Sequence, residues 1–140
     1  MQRSDSAPSR VRFESVYCES ARDGSCNVSV QLEWQGEKYR ATKAGVETQQ
    51  GILTATTQAA LAATLSVAGG DIDLRLGGVK AVRAFDGWVV IVRLNRGDQQ
   101  SQSGRRLLGA APCETDDELP HAAVQAVLDA TNRVLARASE

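Results

Sequence analysis

Gln58-Ala-Ala-Leu-Ala-Ala-Thr-Leu-Ser-Val67 and Gln125-Ala-Val-Leu-Asp-Ala-Thr-Asn-Arg-Val134 carry the same residue at six of ten positions: Gln, Ala, Leu, Ala, Thr and Val. Ala-rich helices match readily through composition alone, so the residues upstream of each segment decide whether the likeness is a duplication. Val11-Arg12-Phe13 with Val16 aligns to Leu74-Arg75-Leu76 with Val79, and Asp23-Gly24 aligns to Asp86-Gly87 at the same offset. Val28, Val30 and Leu32 then match Val90, Val92 and Leu94, one residue out of step. Matches recurring in one order along both halves identify two copies of one unit, about 11–68 and 71–137.

Each copy reads as three strands and a helix. In the first, an apolar strand is predicted over Arg10 to Glu19, and Asp23-Gly24 signals a hairpin because glycine accepts positive φ without a steric penalty. Val28, Val30 and Leu32 alternate with Asn27, Ser29 and Gln31, the period of a half-buried strand over Cys26 to Trp34. Gln35-Gly36-Glu37 turns the chain into a third strand, Lys38 to Ala44, and a helix follows from Thr48 to Val67 until Gly69-Gly70 ends it. The second copy repeats the order, with strands near Ile72 to Phe85, Trp88 to Asn95 and Ser103 to Ala111. Thr115-Asp-Asp-Glu118 has the form of a capping box, and Pro120 fits a first helical turn, so the last helix is predicted over Asp116 to Ala138. The fold class is therefore α+β, a tandem βββα-βββα with mostly antiparallel sheets and two Ala-rich helices packed on one face. Ala55, Ala59 and Ala63, and Ala123, Ala126 and Ala130, form the small-residue stripes that let each helix lie close to a sheet. Ile52, Val67, Val124, Val127 and Leu135 supply bulk at the edges.

Composition bounds the rest. The 140 residues suit one domain of two repeats after a flexible tail, Met1 to Arg10. With 42% apolar and 24% charged residues the chain can bury a core, and with only 4% aromatics that core must be mostly Val, Leu and Ala. Sixteen Lys+Arg against 17 Asp+Glu give a formal charge of −1, which offers no field to attract a phosphate backbone, so no nucleic-acid partner is expected. No apolar run follows Arg3 and Arg10, hence neither an export signal nor a membrane anchor is read there. Cys18, Cys26 and Cys113 form no CxxC pair and their number is odd, which fits free thiols and a cytoplasmic location.

The inventory for catalysis is thin. His121 is the sole histidine and lacks a partner at metal spacing, so a solvated helix residue is the plain reading. Cys113 precedes a helix start, where a thiol pKa can fall, yet no resolving cysteine is near in sequence. Asp116, Asp117 and Glu118 complement a helix dipole, and Arg93, Arg96, Arg105 and Arg106 gather around one hairpin without interleaved aromatics. Gly69-Gly70 and Gly77-Gly78 are turns or bulges, since neither pair follows a strand and opens a helix as a dinucleotide fingerprint requires. No catalytic residue, metal or cofactor is assigned.

Gly45-Val-Glu-Thr48 and Gly109-Ala-Ala-Pro112 lead toward the two helices. In this element order, over Val11 to Leu135, the chain resembles the C-terminal regulatory domain of the 2-isopropylmalate synthase and citramalate synthase family. The resemblance implies two units that pack, dimerise and bind a small effector; no ligand residue carries over, because the Asp-Ala pair at that family's helix start is absent here.

The function expected is a non-catalytic homodimeric module that binds a small metabolite or a partner protein. The alternative is a small hotdog-like enzyme with Glu114, Asp116 or His121 in a cleft between protomers. The dimer surface is assigned to Val89 and Ile91, which face away from Val90, Val92 and Leu94 where the first copy has Asn27 and Ser29. The competing reading is that the first copy's sheet, or the loop near Arg105, covers this face within one chain.

Overall fold

The computed structural model describes residues 10–69, 72–97 and 106–138, with side chains through residue 132. Expectations that fall on the tail before Arg10, on Gly70, on Ser103 and Arg105, and on the side chain of Leu135 lie outside the described residues. The order is β1 (Arg12–Ser20), β2 (Ser25–Trp34), β3 (Glu37–Val46), α1 (Gln49–Ala68), β4 (Leu74–Ala84), β5 (Gly87–Arg96), β6 (Arg106–Cys113) and α2 (Leu119–Ala138). Two three-stranded antiparallel sheets form, β1-β2-β3 and β4-β5-β6, each followed by a helix.

Register shows the duplication residue by residue. Val30 pairs with Val16 and Ala41, and Val92 with Val79 and Gly109. Both first strands break register at the same place, between Phe13 and Ser15 and between Leu76 and Gly78, so Glu14 and Gly77 are equivalent bulge residues. Leu61 and Leu128 are both buried, as are Val30 and Val92. Thr64 and Thr131, matched in the alignment, are both fully buried and donate their hydroxyls to the carbonyls of Ala60 and Val127, at 2.7 and 2.8 Å. The one-residue slip has a simple cause. The first hairpin passes from Ser20 to Cys26, whereas the second closes through Phe85 and Asp86 alone.

That second hairpin corrects the sequence reading. Its turn residues are Phe85 and Asp86, both at positive φ (55° and 60°), the geometry of a type I′ turn. Gly87 instead begins β5, where an added Cβ would stand 2.6 Å from the Cys113 carbonyl. The start of α2 also differs. Asp116–Glu118 form a 3₁₀ turn, and the α-helix begins at Leu119. Pro120 cannot donate to the Asp116 carbonyl, so that carbonyl is taken by the N–H of Leu119 in a tighter i→i−3 bond. α1 begins one residue later than expected, behind Thr48, whose hydroxyl accepts from Gly51 N at 3.0 Å, and ends at the left-handed Gly69.

Each helix lies on the last two strands of its own sheet and is closed from the far side by the first strand of the other: α1 on β2 and β3 under β4, α2 on β5 and β6 under β1. The helices also touch each other. They therefore occupy an inner layer: Val124 and Val127 are fully buried rather than at an edge, α2 reaches solvent along His121, Gln125 and Asp129, and α1 is exposed at Gln49, Gln50, Gln58 and Ser66. This explains why α1 is long and apolar enough by composition to cross a bilayer, and why its apolar residues form no single stripe. At the tightest approach, a Cβ added at Gly109 would fall 2.0 Å from the Ala126 carbonyl oxygen of α2.

Candidate functional site

With Val90, Val92 and Leu94 fully buried against the helices, the period of β5 turns Val89, Ile91 and Arg93 to the outer face of the second sheet. Register then assembles that face in rows. Val82, Val89 and Pro112 form one; Lys80, Ile91 and Ala110 form the next; Gly78, Arg93 and Leu108 form the third. Ile91 is 39% exposed and Leu108 61%. The first copy's sheet sits beyond the helices and does not cover this face; residues 98–105 lie outside the described ones.

The equivalent face of the first sheet carries more hydrogen-bonded polar groups at the matching rows, although Tyr17 and Val46 also stand exposed on it. Where the second has Ile91 beside Ala110, the first has Ser29 bonded to Thr42 at 2.8 Å. Where the second has Val89 beside Pro112, the first has Asn27 beside Ala44. Glu14, the bulge residue, accepts from Gln31 at 2.9 Å and pairs with Lys38. Those hydrogen bonds, from Lys38 foremost, hold its carboxyl below the ordinary glutamate value. The matching trio in the second sheet is Gly77, Arg93 and Arg106: the carboxylate is gone, and an amide and a cation have become two cations.

The acidic turn occupies one end of the molecule, where the chain enters both helices. A cleft of about 290 Å³ opens there, lined by Gln49, Ile52 and Leu53 of α1 and by Asp116, Asp117, Leu119 and Pro120. Its apolar floor and two carboxylates at the rim suit a small ligand with an apolar body. Glu118 does not reach it freely, since its carboxylate accepts from the N–H groups of Glu114 and Thr115 at 3.0 and 3.3 Å. Thr115 in turn donates to Asp117. A second groove, about 490 Å³ and lined by Arg10, Arg12, Gln125, Asp129 and Asn132 among others, lies between the start of β1 and α2.

The candidate acid/base groups are not brought together. His121 stacks edge-on against Phe13, ring centroids 4.4 Å apart, and is not among the residues lining the cleft. Cys113 donates to the Thr115 carbonyl at 3.4 Å. Burial first, and then the charges of Glu118, Asp117 and Asp116, push its thiol up, opposite to the direction a helix N-terminus alone would give. Cys18 and Cys26 share the inner side of the first hairpin as diagonal neighbours, and burial followed by the hydrogen bond with Cys26 raises the Cys18 thiol. All three cysteines are free. The arginine cluster is divided: Arg93 and Arg106 share the outer face of the second sheet, while the strand period turns Arg96 to the other side. Among the described residues no group of three His, Cys, Asp or Glu side chains could hold a metal ion.

Sequence reasoning missed Phe85. It is 96% exposed at a hairpin tip, and the signal lay in an aromatic standing where a type I′ turn favours Asn or Gly.

Compared with known proteins, the chain matches no protein-family model and no curated protein.

Proposed function

We propose that the protein is a non-catalytic homodimeric module of the cytoplasm that binds a small metabolite or a partner protein, with the outer face of the second sheet as its self-association surface. One observation carries this reading: two duplicated sheets differ in the central rows of their outer faces, where one has hydrogen-bonded Ser29, Thr42, Gln31 and Glu14, with Tyr17 and Val46 exposed beside them, and the other has a contiguous apolar cluster of Val82, Val89, Ile91 and Pro112. Val89 is half-buried and Ile91 39% exposed within one chain, so leaving them in water forfeits about a third of the full-burial value, roughly 0.5 to 1 kcal/mol for each. A second copy presenting the same rows recovers it, as in isologous dimers generally. The resemblance to the regulatory domain of the 2-isopropylmalate synthase and citramalate synthase family supports pairing and a small effector. The cleft between the helix starts is the place for that effector.

The module reading is preferred to a hotdog-like enzyme because Glu114, Asp116 and His121 do not converge on one point. Light scattering tests the dimer: wild type should have the mass of two chains at tens of micromolar, and the V89K/I91E double variant should be a folded monomer. A wild-type monomer, or a double variant that still pairs, overturns the proposal. A thermal-shift screen with amino acids and acyl thioesters then identifies the effector class, and Ile52→Trp, which fills the cleft, should abolish any shift found.

A further inference from the structure

The hairpin tip of the second copy combines two features that are unfavourable in an isolated chain. Phe85 holds φ at 55°, a region that bulky residues seldom adopt, and its side chain is 96% exposed. Asp86 beside it also has positive φ and carries a negative charge. At the other end of the same sheet face the chain lacks what the tip has. Arg93 and Arg106 stand where the first copy has Gln31 and Lys38, but the Glu14 carboxylate that binds those two is replaced by Gly77. Beside Arg93 the outer face is bare, since nothing lies within 4 Å of where a Cβ on Gly78 would be.

The spacing of these features is symmetric. Phe85 lies four residues before Val89 and Arg93 four residues after it. A two-fold axis running across the Val82–Val89–Pro112 row therefore lays that apolar row on its own copy and sets each tip over the partner's Gly78–Arg93 row. We propose that Phe85 and Asp86 clasp the second copy in this arrangement, Phe85 filling the bare spot at Gly78 against the Arg93 guanidinium and Asp86 supplying that guanidinium with the carboxylate its own sheet lacks. This inference rests on the dimer proposed above and gives it an axis and an anchor.

Area and charge both favour the assignment. Three strands about 4.8 Å apart and some 30 Å long present roughly 430 Å² per chain. Two such faces fall short of the ~1,200 Å² that specific dimers bury. One phenylalanine from each chain, at about 150 to 250 Å², closes the gap. The opposite alignment, with the axis along the strands, would place arginines over arginines and bring the two Asp86 carboxylates to the same end. An aromatic over a guanidinium is itself an attractive pair.

Sedimentation equilibrium of the full chain is the test. Phe85→Asn should weaken dimerisation at least tenfold, while in the V89K/I91E monomer the same change should raise the melting temperature, because Asn tolerates the left-handed turn better than Phe. A purely structural Phe85 would lower both. Asp86→Lys and Arg93→Glu should each weaken the dimer, and the two together should restore most of the affinity. A wild-type dimer unchanged by Phe85→Asn, or not rescued by the charge swap, overturns this inference while leaving the dimer proposal standing. A wild-type monomer overturns both.

Discussion

Gly109→Ala introduces one methyl group at the closest contact between a strand and a helix. The added carbon would stand 2.0 Å from the Ala126 carbonyl oxygen, 2.7 Å from the Ala130 nitrogen and 2.9 Å from the Ala130 Cβ. A carbon and a carbonyl oxygen rest no closer than about 3.3 Å, so α2 and β6 must part by roughly 1.3 Å. The nearest atoms on the far side are main chain, and no rotamer can yield. Core overpacking costs ~1–3 kcal/mol, and a clash against fixed backbone belongs at the upper end, near ~3 kcal/mol. That corresponds to ~2 M in the urea midpoint for an m-value of about 1.5 kcal/mol/M. The measurement is urea unfolding followed by far-ultraviolet circular dichroism, in the V89K/I91E background so that association does not enter. Gly78→Ala is the control: open space surrounds its Cβ position and φ is not positive there, so it should be neutral or gain about 0.4 to 1 kcal/mol. If Gly109→Ala unfolds within 0.3 M of its parent, about a seventh of that shift, the inner helical layer is not as close to the sheet as the structure places it.

Other outcomes follow from the same packing. Thr64→Val and Thr131→Val should each change stability by less than about 1 kcal/mol, because the acceptor carbonyls keep their helical N–H donors and no buried group is left without a partner; a loss well above that in urea unfolding would show the hydroxyls matter more than their shape. Glu14 has a depressed carboxyl, so its share of stability is present above the ordinary glutamate range and is lost as pH falls through its folded value; Glu14→Gln should flatten the acid limb of a stability–pH curve, more so at low salt, and an unchanged limb refutes the pairing with Lys38. Asp116→Asn with Asp117→Asn should lower the Cys113 thiol pKa and speed its alkylation by iodoacetamide, by less than tenfold because burial is the larger cause; a slower reaction would contradict the assigned electrostatics.

Much of the architecture was legible because it is written in short-range periods. The alternation of Val28, Val30 and Leu32, and of Val90, Val92 and Leu94, fixes which face of each central strand is buried, and with it the outward direction of Val89 and Ile91. The matched Thr64 and Thr131 proved to be the same buried hydroxyl in two copies. Legibility ended where distant parts of the chain meet. The alanine stripes mark the faces that meet a sheet, and α2 keeps an exposed stripe opposite at His121, Gln125 and Asp129, yet the contacts of each helix with the first strand of the other copy, β4 with α1 and β1 with α2, are encoded in no local pattern. The 3₁₀ turn before α2 hinges on a single missing N–H at Pro120, and the Phe85-Asp86 turn on a two-residue loop hidden by the neighbouring Asp86-Gly87 pair. The cleft residue Ile52 reads in sequence as bulk at the helix edge, because only the approach of the two helix starts leaves a gap between it and Leu119.

In the proposed dimer one outer face, and not its duplicate, brings two chains together. Sedimentation equilibrium on three proteins tests it most directly: wild type, the V89K/I91E variant, and the N27K/S29E variant, which places the same charges at the matching positions of the first sheet. Wild type and N27K/S29E should be dimers, and V89K/I91E alone a folded monomer. Loss of the dimer in N27K/S29E, its persistence in V89K/I91E, or a monomeric wild type at tens of micromolar would contradict this assignment.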